Sequence, residues 1–143
     1  MQIKDVLRGK AAGPDVATTS PSASVEELLA LLARYNVGAL PVVDGGELVG
    51  IVSERDVVRQ LHERGRELLD VTVRDLMTAD VVTCAPGDRA ADLARVMTDR
   101  RIRHLPVCDD SGLIGIVSIG DLVKTRIDQL EREHEQLTSY ISG

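Results

Sequence analysis

Phenylalanine and tryptophan are absent from these 143 residues, and Tyr35 and Tyr140 are the only tyrosines. The interior must therefore be filled by Val, Leu, Ile, Ala and Met, and there is no set of aromatic platforms on which unstacked bases could lie. Basic charge is also short: 17 Lys and Arg stand against 23 Asp and Glu, a net charge of −6. Nucleic acid, whose phosphates reward a concentrated cationic face, is not an expected partner. Long apolar runs are missing too. The longest aliphatic stretch, Leu28 to Ala33, falls far below the roughly 18 residues of a spanning helix. The opening MQIKDVLRGK lacks the apolar centre of a signal peptide. No membrane association is expected, and the expected location is cytoplasmic. Cysteine is limited to Cys84 and Cys108, without a CxxC or a nearby His pair. That pattern indicates neither a metal site nor a disulfide framework, and both read as small buried hydrophobes.

What is present is ordinary for a globular chain, 43% apolar and 28% charged, and the length fits one compact unit. An internal repeat organises it. The stretch from Val16, VATTSPSASVEELLALLARYNVGALPVVDGGELVGIVSERDVVRQL, realigns without a gap on that from Val81, 65 residues later, with 15 of 46 positions identical. Agreement over that length is beyond chance and points to two copies of one structural unit. A lead segment precedes each copy, Ile3-Lys-Asp-Val-Leu7 and Val73-Arg-Asp-Leu-Met77, at an offset of 70. The units divide as 1–65, with the N-terminal lead, and 66–143, with the C-terminal helix.

Periodicity orders the elements within a unit. A short β-branched run comes first, Val16 to Thr19 or Val81 to Cys84, closed by a Pro turn. An amphipathic helix follows, with a capping box at Ser24-Val-Glu-Glu27 and a stripe of Leu28, Leu31 and Leu32; in the second copy Asp88 is the expected cap and Leu93, Val96 and Met97 the stripe. Two strands come next, Leu40–Val43 with Leu48–Val52, and Leu105–Cys108 with Leu113–Val117. A second helix is expected from near Ser53 and Ser118. The expected fold class is α/β (α+β), two pseudo-symmetric β-α-β-β-α repeats packed through their sheets, because a lone unit of this size has a marginal core. Such packing gathers strand ends and helix starts around a shared cleft, where ligands bind in α/β architectures.

Gly50-Ile-Val-Ser53-Glu-Arg-Asp56 recurs as Gly115-Ile-Val-Ser118-Ile-Gly-Asp121, a strand entering a helix through Ser-x-x-Asp. One reading is a capping box. The other uses the same geometry for a ligand: free N–H groups at a helix start suit a phosphate, and a carboxylate there takes both hydroxyls of a ribose.

Both copies, their leads and their LPV strands together resemble the CBS domain family of tandem regulatory modules, also called Bateman modules. The specific runs are Val73-x-Asp-Leu-Met-Thr78, Arg103-His-Leu-Pro-Val107 and the two Gly-Ile-Val-Ser-x-x-Asp motifs. The resemblance implies a non-catalytic sensor, of the stand-alone bacterial type, that binds an adenosyl ligand between the repeats. AMP-like mononucleotides are expected first, with ADP, ATP, NAD or S-adenosylmethionine as alternatives. Carried over residue by residue, Asp56 and Asp121 match the ribose-binding acid, and Ser53 and Ser118 the hydroxyl at phosphate or ribose. Thr78 and Val82 match the opposite wall, and Val37 and Ile102 the apolar clamp on adenine. The first lead departs from the pattern, with Leu7-Arg8 where the second has Met77-Thr78, and the glycines and Pro14 after it read as a mobile connection.

The copies also differ where phosphate is expected. Arg100-Arg-Ile-Arg-His104 is the one dense basic cluster, whereas the matching stretch of the first copy is Tyr35-Asn-Val-Gly-Ala39. Arg103 and His104 are the expected phosphate contacts, with Arg55 close by. Arg100 and Arg101 also fit the end of a helix.

After Asp121 no helix breaker occurs before Gly143, and Val123, Ile127, Leu130, His134, Leu137 and Ile141 alternate at spacings of four and three. That heptad seam calls for a partner. The resemblance implies a homodimer, with packing inside the chain as the alternative, and a separate effector protein receives the signal. An enzyme built on Ser118, His104 and Asp121 is the rival class, but GxSxG, P-loop, GxGxxG and HExxH motifs are absent. A ligand-independent scaffold is the third reading.

Overall fold

The computed structural model describes residues 1–10 and 16–142. Helix α1 (Ile3–Arg8) is followed by α2 (Val25–Tyr35), strands β1 (Ala39–Asp44) and β2 (Glu47–Ser53), and α3 (Glu54–Arg64). A 3-10 turn over Gly65–Asp70 leads to α4 (Val73–Leu76), α5 (Ala90–Arg100), β3 (His104–Asp109), β4 (Gly112–Ser118) and α6 (Ile119–Ser142). The connection around Pro14 lies outside the described residues.

Each β pair is an antiparallel hairpin. Ala39 stands opposite Ser53 and Val42 opposite Gly50; 65 residues on, His104 stands opposite Ser118 and Val107 opposite Gly115. Both carry a bulge at the matching place, after Val42 and after Val107. The first hairpin turns through Gly45 and Gly46 at φ 59° and 84°, a conformation that side chains resist.

The strands expected at 16–19 and 81–84 are each reduced to one parallel bridge, Thr19 beside Val42 and Cys84 beside Val107. Thr19 donates to Pro41 O at 3.0 Å and accepts from Val43 N at 2.9 Å; Cys84 does the same with Pro106 and Cys108. The next residue due to donate on that edge is Pro21 or Pro86, and proline has no N–H. The ladder therefore stops after one rung.

Helix α2 starts at Ser24 as expected, Ser24 Oγ accepting from Glu27 N at 3.1 Å, but only this half of the expected capping box forms. Asp88 does not cap α5. The N-cap is Arg89, and Asp88 Oδ2 instead accepts from Ala85 N at 2.8 Å, closing the turn that carries Pro86 and Gly87. Of the two cysteines, Cys84 is buried and Cys108 only half-buried.

Two cores form, related by the repeat. Leu28, Leu32, Leu40, Val42, Val52 and Val57 build the first, and Leu93, Met97, Leu105, Val107, Val117 and Leu122 the second. The lead helices are exchanged between them. Ile3 and Val6 of α1 are buried in the second core, Val73 and Leu76 of α4 in the first. Ile3 N and Lys4 N donate to Asp88 O and Pro86 O; Val73 N and Arg74 N donate to Ala23 O and Pro21 O. The division at residue 65 thus marks the sequence repeat, while the packing is reciprocal. Strands β2 and β4 lie against each other between the cores.

Helix α6 runs 24 residues, about 36 Å at the usual helical rise. Only Leu122 of it is buried. Val123, Ile127, Leu130, Leu137 and Ile141 are between 46% and 76% exposed, and His134 is exposed. Packing of the seam inside the chain is therefore not what the structure shows.

Candidate functional site

Both Ser-x-x-Asp motifs close as capping boxes. Asp56 Oδ2 accepts from Ser53 N at 2.8 Å and from Ser53 Oγ at 3.0 Å, while Ser53 Oγ also lies 3.3 Å from Asp56 N. Asp121 Oδ2 accepts from Ser118 N at 2.9 Å, and Ser118 Oγ accepts from Asp121 N at 3.0 Å. The cap is a means of placement: it holds a carboxylate at the mouth of a strand–helix junction, half-exposed, with acceptor capacity beyond these bonds.

The lead segments form the walls beside these acids. Thr78 and Ile51 exchange backbone hydrogen bonds at 2.9 and 3.0 Å, which sets exposed Thr78 two residues along β2 from Ser53. Gly50 is needed there, because a Cβ would lie 2.7 Å from Met77 Sδ and 3.0 Å from Thr78 O. Val82 packs against the second core and Val37 against the first, so the chain crosses between the repeats over 78–82. At the second junction a Cβ on Gly115 would lie 2.8 Å from Leu7 Cδ2.

The sequence reading missed Lys10. Its Nζ donates to Asp121 Oδ2 at 2.9 Å and to Ile116 O at 2.7 Å. Burial is the largest single influence on the Asp121 carboxyl and raises its pKa, but the Lys10 bond, the Ser118 N–H and the Lys10 charge together hold it below the ordinary value. A lone lysine after a short lead gives no hint of that partner, 111 residues away in sequence.

Arg55, Ile102 and Arg103, singled out separately, line one cavity of about 320 Å³. Met97, Ile119, Thr98 and Arg101 complete it, and Arg55 Nη1 donates to Arg101 O at 3.3 Å across the repeats. Arg101 ends α5 at φ 56°, as Asn36 ends α2 at φ 51°. Three arginines lining one hollow give it a cationic character that suits a phosphorylated ligand. His104 is half-buried and faces Gly38, whose Cβ would lie 3.3 Å from its Cε1. Burial pushes its pKa below the ordinary value, opposed by Asp121 and Glu54 and assisted by Lys10 and Arg103. Among the described residues no group of His, Cys, Asp and Glu could hold a metal ion, and no helix is long and apolar enough to cross a membrane.

Two pseudo-symmetric repeats, each presenting a capped carboxylate beside an exchanged lead segment, define a tandem module. The CBS domain model matches residues 3–63 and 73–128, and the chain belongs to the CBS domain family. It is 37% identical over 148 residues to the mitochondrial CBS domain-containing protein CBSX3 of Arabidopsis thaliana, across 99% of this chain and 72% of that protein. An inosine-5'-monophosphate dehydrogenase of Korarchaeum cryptofilum is 40% identical over 109 residues, only 22% of that enzyme. The crystal structure of a CBS-domain protein of Agrobacterium tumefaciens superposes with a TM-score of 0.83 at 38% identity, covering 88% of this chain and 99% of that one. CBSX2 in complex with AMP gives 0.72 at 28% identity over 89% and 97%. The CBS domain pair of MJ0100, in complex with methylthioadenosine and S-adenosyl-L-methionine, gives 0.75 at 27% identity over 87% and 98%.

Proposed function

We propose that this protein is a regulatory module that binds an adenosyl ligand, AMP first among them, between its repeats and passes the signal on by a change of shape. The observation that carries this reading is the capped Ser53–Asp56 carboxylate, next in sequence to Arg55 of the tri-arginine cavity at the repeat junction. Asp56 takes the ribose hydroxyls beside Ser53, with Thr78 and Val82 as the facing wall. Val37 and Ile102 hold the adenine by apolar contact, and Arg55, Arg103 and His104 hold the phosphate. Ser118 and Asp121 are the matching pair in the second cleft. The complexes of CBSX2 with AMP and of MJ0100 with S-adenosyl-L-methionine support this class of ligand. NAD, longer than a mononucleotide, is the alternative that the sequence also allows.

No chemistry is asked of these groups: the serines are occupied as caps. A ligand shifts such a module only by its differential affinity for two states. The exposed α6 seam gives that shift a route outward, to a second copy of the chain and through it to an effector protein. Calorimetric titration with AMP, ATP, NADH and S-adenosylmethionine tests the reading. We expect micromolar binding of an adenosyl ligand, weakened at least about tenfold, or about 1.4 kcal/mol, by Asp56→Ala, which stays folded with a thermal midpoint lowered by the lost cap. Absence of binding to the folded protein would favour a ligand-independent scaffold.

A further inference from the structure

The two clefts are related by the repeat but walled by different means. Beside Ile51 the wall is backbone, the two-way bridge with Thr78. Beside Ile116, the counterpart of Ile51, α1 remains helical through Arg8, and the Ile116 carbonyl takes the Lys10 ammonium at 2.7 Å. The same ammonium pairs with Asp121 at 2.9 Å, the two side chains being 28% and 26% exposed. Counted from the lead segments, the residue matching Lys10 is Asp80, of opposite charge. The Asp56 box has its own serine as partner; the Asp121 box has a cation as well.

We infer that Lys10 is a built-in occupant of the Asp121 cleft, so that the chain takes one adenosyl ligand, at Asp56, and the second cleft opens only when Lys10 is displaced. This rests on the adenosyl reading above. A ribose diol is neutral, and to engage both oxygens of Asp121 it must displace from Oδ2 a cation that brings a full charge as well as a hydrogen bond. At Asp56 it meets no such competitor. The fixed backbone wall at Thr78 also presents the ligand with a preformed surface, which the side-chain wall of Leu7 and Lys10 does not.

Titration with AMP, followed by S-adenosylmethionine, of the wild type and of Lys10→Met, Asp56→Ala, Asp121→Ala and Lys10→Met/Asp121→Ala tests this, with thermal midpoints showing that each is folded. The wild type is expected to bind about one ligand per chain, retained in Asp121→Ala and lost in Asp56→Ala; Lys10→Met is expected to bind about two, the second lost again in the double variant. Two sites in the wild type, or a single site in both the wild type and folded Lys10→Met, overturns the role of Lys10 while leaving the adenosyl reading intact. Weaker binding in Lys10→Met also overturns it and makes Lys10 a ligand contact. If no variant binds either ligand, both readings fall, and if only Lys10→Met binds, the Lys10 role stands and the Asp56 site falls.

Discussion

His104 sits half-buried between the repeats, facing Gly38 and the charges of Asp121, Glu54, Lys10 and Arg103. Because burial depresses its folded pKa below 6.5, the unfolded chain takes up a proton first on acidification. Its contribution to stability is full above about pH 6.5, declines as pH falls toward the folded value, and is flat below that. Urea midpoints at pH 8 and pH 5 should therefore differ more in the wild type than in His104→Gln, and equal differences would refute this. Thr19 gives a second residue-scale expectation. Its hydroxyl is buried without a hydrogen-bond partner, whereas the matching Cys84 thiol lies 3.6 Å from Pro106 O. Thr19→Val should stabilise by about 1 kcal/mol, since an unpaired buried hydroxyl carries its full desolvation cost, read as a rise of about 3 °C in Tm. The Cys84 thiol, pushed up to about 12 by burial first and by Asp88 and Cys108 next, is protonated at neutral pH and packs as a hydrophobe.

At the scale of elements, the lead segments and the strands they cover set the clefts. Gly50 and Gly115 occupy matching places in β2 and β4, yet they face different neighbours. A methyl group at Gly50 meets Thr78 backbone oxygen at 3.0 Å as well as Met77 Sδ, while one at Gly115 meets only the tip of Leu7. Backbone fixed by a two-way bridge yields less readily than a leucine rotamer. Gly50→Ala should cost about 1–3 kcal/mol by overpacking and weaken ligand binding, and Gly115→Ala should cost less; denaturant unfolding of the two variants measures the order. The helix ends show the same asymmetry under a common plan. Asn36 suits its left-handed position and Arg101 suits it poorly, and it is Arg101 whose carbonyl receives Arg55 from the other repeat.

At the scale of the molecule, the reciprocal exchange of α1 and α4 ties the two cores together, so a ligand bound between the repeats would act on both. Beyond Leu122, which is buried in the second core, α6 stands outside the cores, acidic beyond residue 130 and with its apolar seam uncovered. If that seam joins two copies, Leu130→Glu/Leu137→Glu should convert a dimer to a monomer in light scattering, with adenosyl binding retained. A wild-type monomer would remove the dimer from this account.

The repeat, both hairpins, the main helices and the paired Ser-x-x-Asp boxes were legible in the sequence, because periodicity, caps and turns are local and were written twice. The outer strands were read too long, although Pro21 and Pro86 carried the reason for their single rungs. The Asp88 cap failed because a turn four residues long competed for the same carboxylate. Three features rest on contacts between residues far apart in the chain: the exchange of the lead helices, the gathering of Arg55, Arg101 and Arg103 around one cavity, and the hold of Lys10 on Asp121. Sequence alone determined that two like units exist and where each places its acid. Only the tertiary structure decided that the two acids are unlike, since a charge reveals its partner when the chain has folded back on itself.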